Sequence, residues 1–337
     1  MSTVDAFNAI KAALAMATDR LAEFYVRRGQ RDRLARTWEL SDQLGAEQFN
    51  LVVLGQFKRG KSTLINALLG ADLLPTAVVP LTSIVTIIHY GPQPRALVTF
   101  LDGHEREVDV ADIALFITEP QNPANVKRVA QVVVSFPAEF LRDGVRLVDT
   151  PGVGSVFAGN TGTTVDYLPQ ADAAIFLLAA DQPISQAELE FLHTARAHAA
   201  KFFFVLNKID YLSERELKES LEFSARVISA CLAPEVVIYP VSGRLALQAR
   251  RDADVTKLEA SGLPAFEQAL ADFLRREKGA TLLASLRRKL RALVVETQNA
   301  IDLELSATRM PAAMLAERIA AFHQHAAAIL QEQSDTE

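Results

Sequence analysis

One stretch limits the possible folds more than any other. Gly55-Gln56-Phe57-Lys58-Arg59-Gly60-Lys61-Ser62 is entered from the apolar run "FNLVVL" at 49–54 and left through a helical pattern at 62–69. The spacing Gly-x4-Gly-Lys-Ser is that of a phosphate-binding loop between a strand and a helix. Gly55 and Gly60 let the backbone wrap closely around phosphate oxygens with its N–H groups aimed inward. The following helix turns its positive N-terminus toward the same anion. Lys61 adds a charge for the outer phosphates, and Ser62 offers a hydroxyl to Mg²⁺. The whole run, with Gln56, Phe57, Lys58, Arg59 and Thr63, is the candidate phosphate cradle.

Further along the chain, "LVDTPG" at 147–152 ends an apolar run. Asp149 there can hold Mg²⁺ through water, and Gly152 can donate its N–H to a γ-phosphate. "NKID" at 207–210 follows "KFFFVLN". The Asp210 carboxylate can accept from guanine N1–H and its exocyclic amine, donors that adenine lacks. Asn207 can bridge base and phosphate loop, and the Lys208 stem can lie over the ring. The three elements in this order specify GTP or GDP with Mg²⁺. "PVSGR" at 240–244 places Ser242 and Gly243 where a backbone amide would meet guanine O6. A γ-phosphate-sensing threonine and metal ligand is expected from "LLPTAVVPLTSIVT". Thr82, in a Pro-flanked loop, is the choice; Thr76 is the runner-up, and Thr86 is expected inside a strand.

The rest of the chain fits an α/β fold. Short apolar runs at 49–54, 83–90, 95–101, 131–136, 145–149, 173–178, 201–207 and 235–241 alternate with helical patterns, the later ones at 185–199, 213–231 and 264–276. Several runs are apolar without alternation, as in central strands covered on both faces. The expectation is a P-loop GTPase domain over 46–276 with a mainly parallel central sheet. The run 83–101, split by "GPQP", is expected to form an antiparallel hairpin at one edge. Residues 1–45 and 277–337 read as helical flanks. Phe7, Ile10, Leu14, Leu21, Phe24, Trp38 and Leu44 make the first apolar side, with Gly45 as a stop; Pro311 should kink the second flank. His323-x-His325 puts two side chains on different helix faces, so no metal is expected there.

The motifs "GQFKRGKSTLINALLG", "LLPTAVVPLTSIVT", "DTPGV", "DQPISQAELEFL" and "NKID" resemble those of the dynamin superfamily, specifically bacterial dynamin-like proteins, over roughly 46–290. That resemblance implies a large GTPase activated when two GTPase domains meet across their nucleotide faces. It makes 181–186 the segment that reaches the partner, with Asp181 and Gln182 as the contacts. Eukaryotic dynamins place a glutamine and a serine where this chain has Phe57 and Lys58. Guanylate-binding proteins place an arginine finger at the position of Lys58. Lys58, or less readily Arg59, is therefore expected to supply the cation that phosphoryl transfer needs. The catalytic set is Lys58, Thr82, Lys61 and Gly152. Val153 and Gly154 stand where a Ras-like GTPase would carry its water-orienting glutamine, so slow turnover by a monomer is expected.

The resemblance also implies that the helical flanks are neck helices of a protein that remodels or tethers membrane. The expected partners are a second copy of the chain, peripheral lipid, and a dynamin-like heteromeric partner. The alternative is a GTP-controlled switch in ribosome assembly. A net charge of −6 argues weakly against a nucleic-acid partner. Cys231 is the only cysteine, which excludes an internal disulfide and suits the cytosol. No apolar run approaches the ~20 residues of a membrane span, so the expected location is cytoplasmic and peripheral to the membrane.

Overall fold

The computed structural model describes residues 3–76, 83–153, 160–231 and 236–309, together with 314, 317, 319–324 and 326. Thr82, Gly154 and Pro311 lie outside the described residues. The chain divides into two compact units, Met1–Arg287 and Arg288–Glu337.

The first unit opens with two helices, α1 (Thr3–Arg28) and α2 (Arg31–Gly45), which break at Gly29. Strand β1 (Phe49–Gly55), the phosphate loop and α3 (Lys61–Leu69) follow. After them come β2 (Thr86–Tyr90), β3 (Arg95–Phe100), β4 (Glu105–Val108), the short α4 (Ala114–Ile117), β5 (Val129–Phe136) and β6 (Val145–Asp149). The later half alternates: α5 (Asn160–Tyr167), β7 (Ala173–Ala179), α6 (Gln186–Arg196), β8 (Lys201–Asn207), α7 (Glu214–Cys231) and β9 (Ile238–Pro240). Helices α8 (Gly243–Asp252), α9 (Val255–Ala260), α10 (Leu263–Arg276) and α11 (Lys278–Arg309) complete the order.

Among the described residues, nine strands form one sheet in the order β4-β3-β5-β2-β6-β1-β7-β8-β9. From β6 through β9 every neighbouring pair is parallel. All seven residues of β1 and all seven of β7 are buried, which explains why their sequences run apolar without alternation. Their C-terminal ends carry the phosphate loop and the 180–185 turn, so these two loops gather at one end of the parallel half.

The expected hairpin over 83–101 does not form. Strand β5 lies between β2 and β3, parallel to β2 and antiparallel to β3. Periodicity marks strands but not their partners, and "VAQVVVSF" in β5 offers both neighbours a long ladder. The real hairpin is β3–β4. Its turn is Asp102-Gly103, with Gly103 at φ +87° and the Asp102 carboxylate accepting from the His104 amide at 3.1 Å. Asp-Gly between two extended runs is a hairpin signal that the sequence reading missed. Trp38 is 55% exposed rather than part of the first apolar side, and Ile10 is also exposed. Tyr25, which breaks the stripe, is the fully buried aromatic of α1.

A buried polar cluster fastens α2 and the start of α11 to the base of the sheet. Asp172, fully buried before β7, accepts from Gln43 Nε2 at 2.7 Å, the Asn50 amide at 2.8 Å and Ser285 Oγ at 2.6 Å. In the second unit, Leu303, Met314, Ile319 and Phe322 are exposed. No helix among the described residues is long and apolar enough to cross a membrane.

Candidate functional site

The phosphate loop leaves β1 at Gly55 and enters α3 at Lys61. Gly60 has φ +89°, and a Cβ there would stand 2.4 Å from Asn207 Nδ2, so close approach as well as backbone conformation requires glycine. Lys61 is buried and its Nζ donates to the Gly55 carbonyl at 3.1 Å. Burial pulls the Lys61 ammonium down to about 8, against the opposing pull of Asp149 and Glu188. An anion among these N–H groups would relieve that burial cost, which is the chemistry of a phosphate site.

Ser62 Oγ donates to Asp149 Oδ2 at 3.2 Å, and Asp149 is fully buried at the end of β6. This is the hydroxyl and carboxylate pair suited to a small, hard divalent cation that keeps part of its water shell. Thr86 opens β2 directly opposite Asp149. Its fully buried hydroxyl has no hydrogen-bond partner among the described residues. Thr76 is exposed on the rim of the base cleft.

The strand-end loop at 150–153 is stitched to the phosphate loop by backbone. Phe57 N donates to the Val153 carbonyl at 3.1 Å, and Val153 N to the Gly55 carbonyl at 3.4 Å. A Cβ on Gly152 would stand 2.8 Å from the Phe57 Cα. The Phe57 backbone therefore packs against 152–153 of its own chain.

Lys58 and Arg59 part company. Lys58 is exposed, has φ +67°, and holds its ammonium 5.1 Å from the centre of the Phe57 ring. Arg59 is 2% exposed and forms a two-pronged ion pair with Glu188 at 2.8 and 2.6 Å. This corrects the expectation that Arg59 could take the finger's role in place of Lys58. Its guanidinium is committed to Glu188 and to the Gln182 and Pro183 carbonyls. The signal was present in "SQAE": Ser185 and Glu188 form a capping box at the start of α6, which aims Glu188 back at the loop.

Asn207, Lys208 and Asp210, the residues expected to read a base, line a cleft of about 650 Å³ with Gly60, Thr63 and Tyr211. Asn207 Nδ2 donates to the Arg59 carbonyl at 2.9 Å, and Asn207 Oδ1 accepts from the Gly243 amide at 3.0 Å. One side chain thus ties the phosphate loop to the 242–243 turn. Lys208, at φ +65°, donates to Asp181 Oδ2 at 2.9 Å. Ser242 and Gly243 do not offer free amides: Ser242 N is bonded to the Ser261 carbonyl and Gly243 N to Asn207. That corrects the expected O6 contact from these two amides.

The structure adds Arg244. It donates to Asp210 Oδ2 at 2.5 Å, while Ser242 Oγ donates to Asp210 Oδ1 at 2.5 Å. Burial pushes the Asp210 carboxyl up, but the Ser242 hydroxyl and the Arg244 guanidinium outweigh it and hold the group below the ordinary carboxylate range. Asp210 is thus an anion across the physiological range.

Comparison with known proteins accounts for this arrangement. The sequence pattern of the Dynamin family matches residues 51–209. An uncharacterized protein from the xynA 3′ region of Caldicellulosiruptor sp. (strain Rt8B.4) is 37% identical over 286 residues, covering 85% of this chain and 71% of that one. Through residues 51–209 the chain belongs to the dynamin family. The bacterial dynamin-like protein of Nostoc punctiforme is 29% identical over 284 residues, covering 75% of this chain and 40% of its own. A solved chain from an oligomerised bacterial dynamin pair, described as sensing and tethering membranes at long range, has the same fold. It superposes with a TM-score of 0.56 at 21% identity, over 96% of this chain and 52% of its own. This dynamin-family chain therefore spans only about half the length of those last two relatives.

Proposed function

We propose that this chain is the GTPase part of a dynamin-like protein. It binds GTP and GDP with Mg²⁺, hydrolyses GTP to GDP and phosphate, and is stimulated when two copies meet across their nucleotide faces. The observation that carries the reading is the continuity of the cleft: Asn207 joins the phosphate loop to the loop that presents Asp210. An anion cradle and a guanine-reading carboxylate therefore face one ligand.

In this reading Ser62, Asp149 and Thr82 hold the metal, which neutralises charge on the transferring phosphoryl group. Lys61 and the loop amides of residues 55–63 bind phosphate oxygens. Gly152 donates its N–H to the γ-phosphate, and Lys58 supplies the additional cation when a partner closes over it. Asp210 and Lys208 read the base. Arg244, which pairs with Asp210 in the cleft, is the donor this reading assigns to guanine O6. Asp181 and Gln182 face the second copy.

The helices of 1–45 and 277–337 are neck helices in this reading. The protein acts at the cytoplasmic face of a membrane, with lipid and a dynamin-like heteromeric partner as its associates. Support comes from family membership and from the membrane-tethering relatives of like fold.

Calorimetry with GTP, GDP and ATP tests the ligand: heat with the guanine nucleotides alone is expected, and equal heat with ATP refutes the reading. Turnover per molecule measured against protein concentration tests the dimer, which predicts a rise. Co-sedimentation of the complete protein with liposomes tests the membrane role. A protein that ignores lipid and pellets with ribosomes would favour the ribosome-assembly switch instead.

A further inference from the structure

The buried Arg59–Glu188 pair makes no hydrogen bond to Lys61, on which Glu188 acts only as a neighbouring charge. Both side chains are 2% exposed. Taking two ions out of water is costly and is offset only by excellent geometry with further hydrogen bonds. Here both conditions hold. The guanidinium contacts both carboxylate oxygens, the Gln182 carbonyl at 3.0 Å and the Pro183 carbonyl at 3.2 Å. Glu188 Oε2 also accepts from the Ser185 amide at 2.9 Å and its hydroxyl at 3.0 Å. A phosphate loop needs none of these side-chain contacts, because it works through its backbone and Lys61.

These contacts hold residues 181–185 instead. That segment is exposed at 181–183, yet it is gripped from the nucleotide side at successive points. Lys208 of the base loop holds Asp181. Arg59 of the phosphate loop holds the next two carbonyls. Glu188, clamped by Arg59, holds Ser185. The backbone carbonyl of Arg59 also accepts from Asn207, so this one residue touches the phosphate loop, the base loop and the exposed segment.

We propose that Arg59, through Glu188, is a positioning residue that couples nucleotide occupancy to the shape of the 181–185 surface, whose partner is a second copy of this chain. The proposal rests on the reading that this surface faces the partner. A displacement of the phosphate loop carries Arg59 with it, and the rigid ion pair passes the displacement to the segment. Lys208 reports the base in the same way, because its stem lies over a bound base while its ammonium holds Asp181. The exposed surface is then in register for a partner only when both ends of the cleft are filled.

The test compares the unaltered chain with Glu188→Gln, with Glu190→Gln on the same helix as a control, and with the double variant Arg59→Met, Glu188→Met. The last removes the pair without stranding a charge, which commonly preserves stability. Turnover per molecule is followed against protein concentration, GDP affinity by calorimetry, and folding by thermal midpoint. The expected result is that Glu188→Gln and the double variant flatten the concentration-dependent rise by about fivefold or more. Glu190→Gln leaves it intact, and GDP affinity in Glu188→Gln stays within about threefold of the unaltered chain. A Glu188→Gln chain that keeps the full rise overturns the coupling. So does a loss of GDP affinity in step with the loss of stimulated turnover, since the pair would then only brace the phosphate loop. If the unaltered chain shows no rise at all, the dimer reading itself fails and the coupling falls with it.

Discussion

The two ends of the cleft are built from different materials. The phosphate end is backbone: the loop amides, the Val153 bonds to Gly55 and Phe57, and Gly152 pressed against the Phe57 backbone. The base end is side chain: Asp210 is engaged by Ser242 and by an Arg244 that is itself 70% exposed. Backbone held on both sides by neighbouring strands has little freedom left to lose when an anion arrives. Arg244 reaches Asp210 from solvent, with its own side chain 70% exposed while that of Asp210 is 10% exposed, so a bound base can take the place of this one partner. The phosphate end is thus set for affinity, and the base end for exchange. A base without the guanine donors also leaves Asp210 in the company of Arg244 and water, not stranded. Selectivity should then reflect two forgone hydrogen bonds more than an orphaned charge.

The largest expected effect is at the finished end. Lys61→Ala should weaken GDP binding by about three orders of magnitude, or ~4 kcal/mol, for an ammonium serving two phosphates at roughly 2 kcal/mol each. Titration calorimetry reads this directly, and a loss smaller than that from Asp210→Asn would break the comparison. Asp210→Asn should cost about a hundredfold in GDP affinity, from two charge-assisted bonds at ~1.5 kcal/mol each. It should also bring the guanine-to-adenine ratio, measured with GDP and ADP side by side, close to unity.

Lys58→Ala should lower the concentration-stimulated turnover by about tenfold or more, as loss of a charge near the transferring group does. Single-turnover rates at high and low protein concentration check it, and an unchanged stimulated rate would remove Lys58 from the mechanism. The smallest effect is a shift in an acid edge. Asp210 has a depressed carboxyl pKa, so its anion persists below the ordinary carboxylate range. Guanine-nucleotide affinity, and whatever stability Asp210 contributes, should therefore be lost only as pH falls through that lowered value. Arg244→Ala removes one of the depressing contacts and leaves the upward push of burial, so the edge should move to higher pH. Binding measured across an acid titration of both chains decides it. An edge that stays in place would show that Arg244 does not set the charge of Asp210.

The contrast between the ends also marks which placements are legible in the sequence. Gly60, Lys61, Ser62, Asp149, Asn207 and Asp210 could be located because each sits in a run of a few residues at a strand's end, where local geometry fixes where the backbone goes. Arg59 and Arg244 were misjudged or missed for the opposite reason. A guanidinium in a loop has no local instruction, and its partner is chosen by what the fold brings near. Glu188 is 129 positions from Arg59, and Asp210 is 34 from Arg244. The absent hairpin at 83–101 is the same lesson in the sheet: β2, β3 and β5 were each legible from an apolar, β-branched run, while the insertion of β5 between β2 and β3 was not.

By itself the sequence determined the strand–loop–helix cradle, the carboxylates at the strand ends and the family to which the chain belongs. These depend on short-range spacing and on residue types that few other backbones tolerate. Only the tertiary structure decided the order of the nine strands, the burial of Arg59 beside an exposed Lys58, and the hold of Arg244 on Asp210. Those depend on which surfaces exclude water together, a property of the packed chain that no contiguous segment carries.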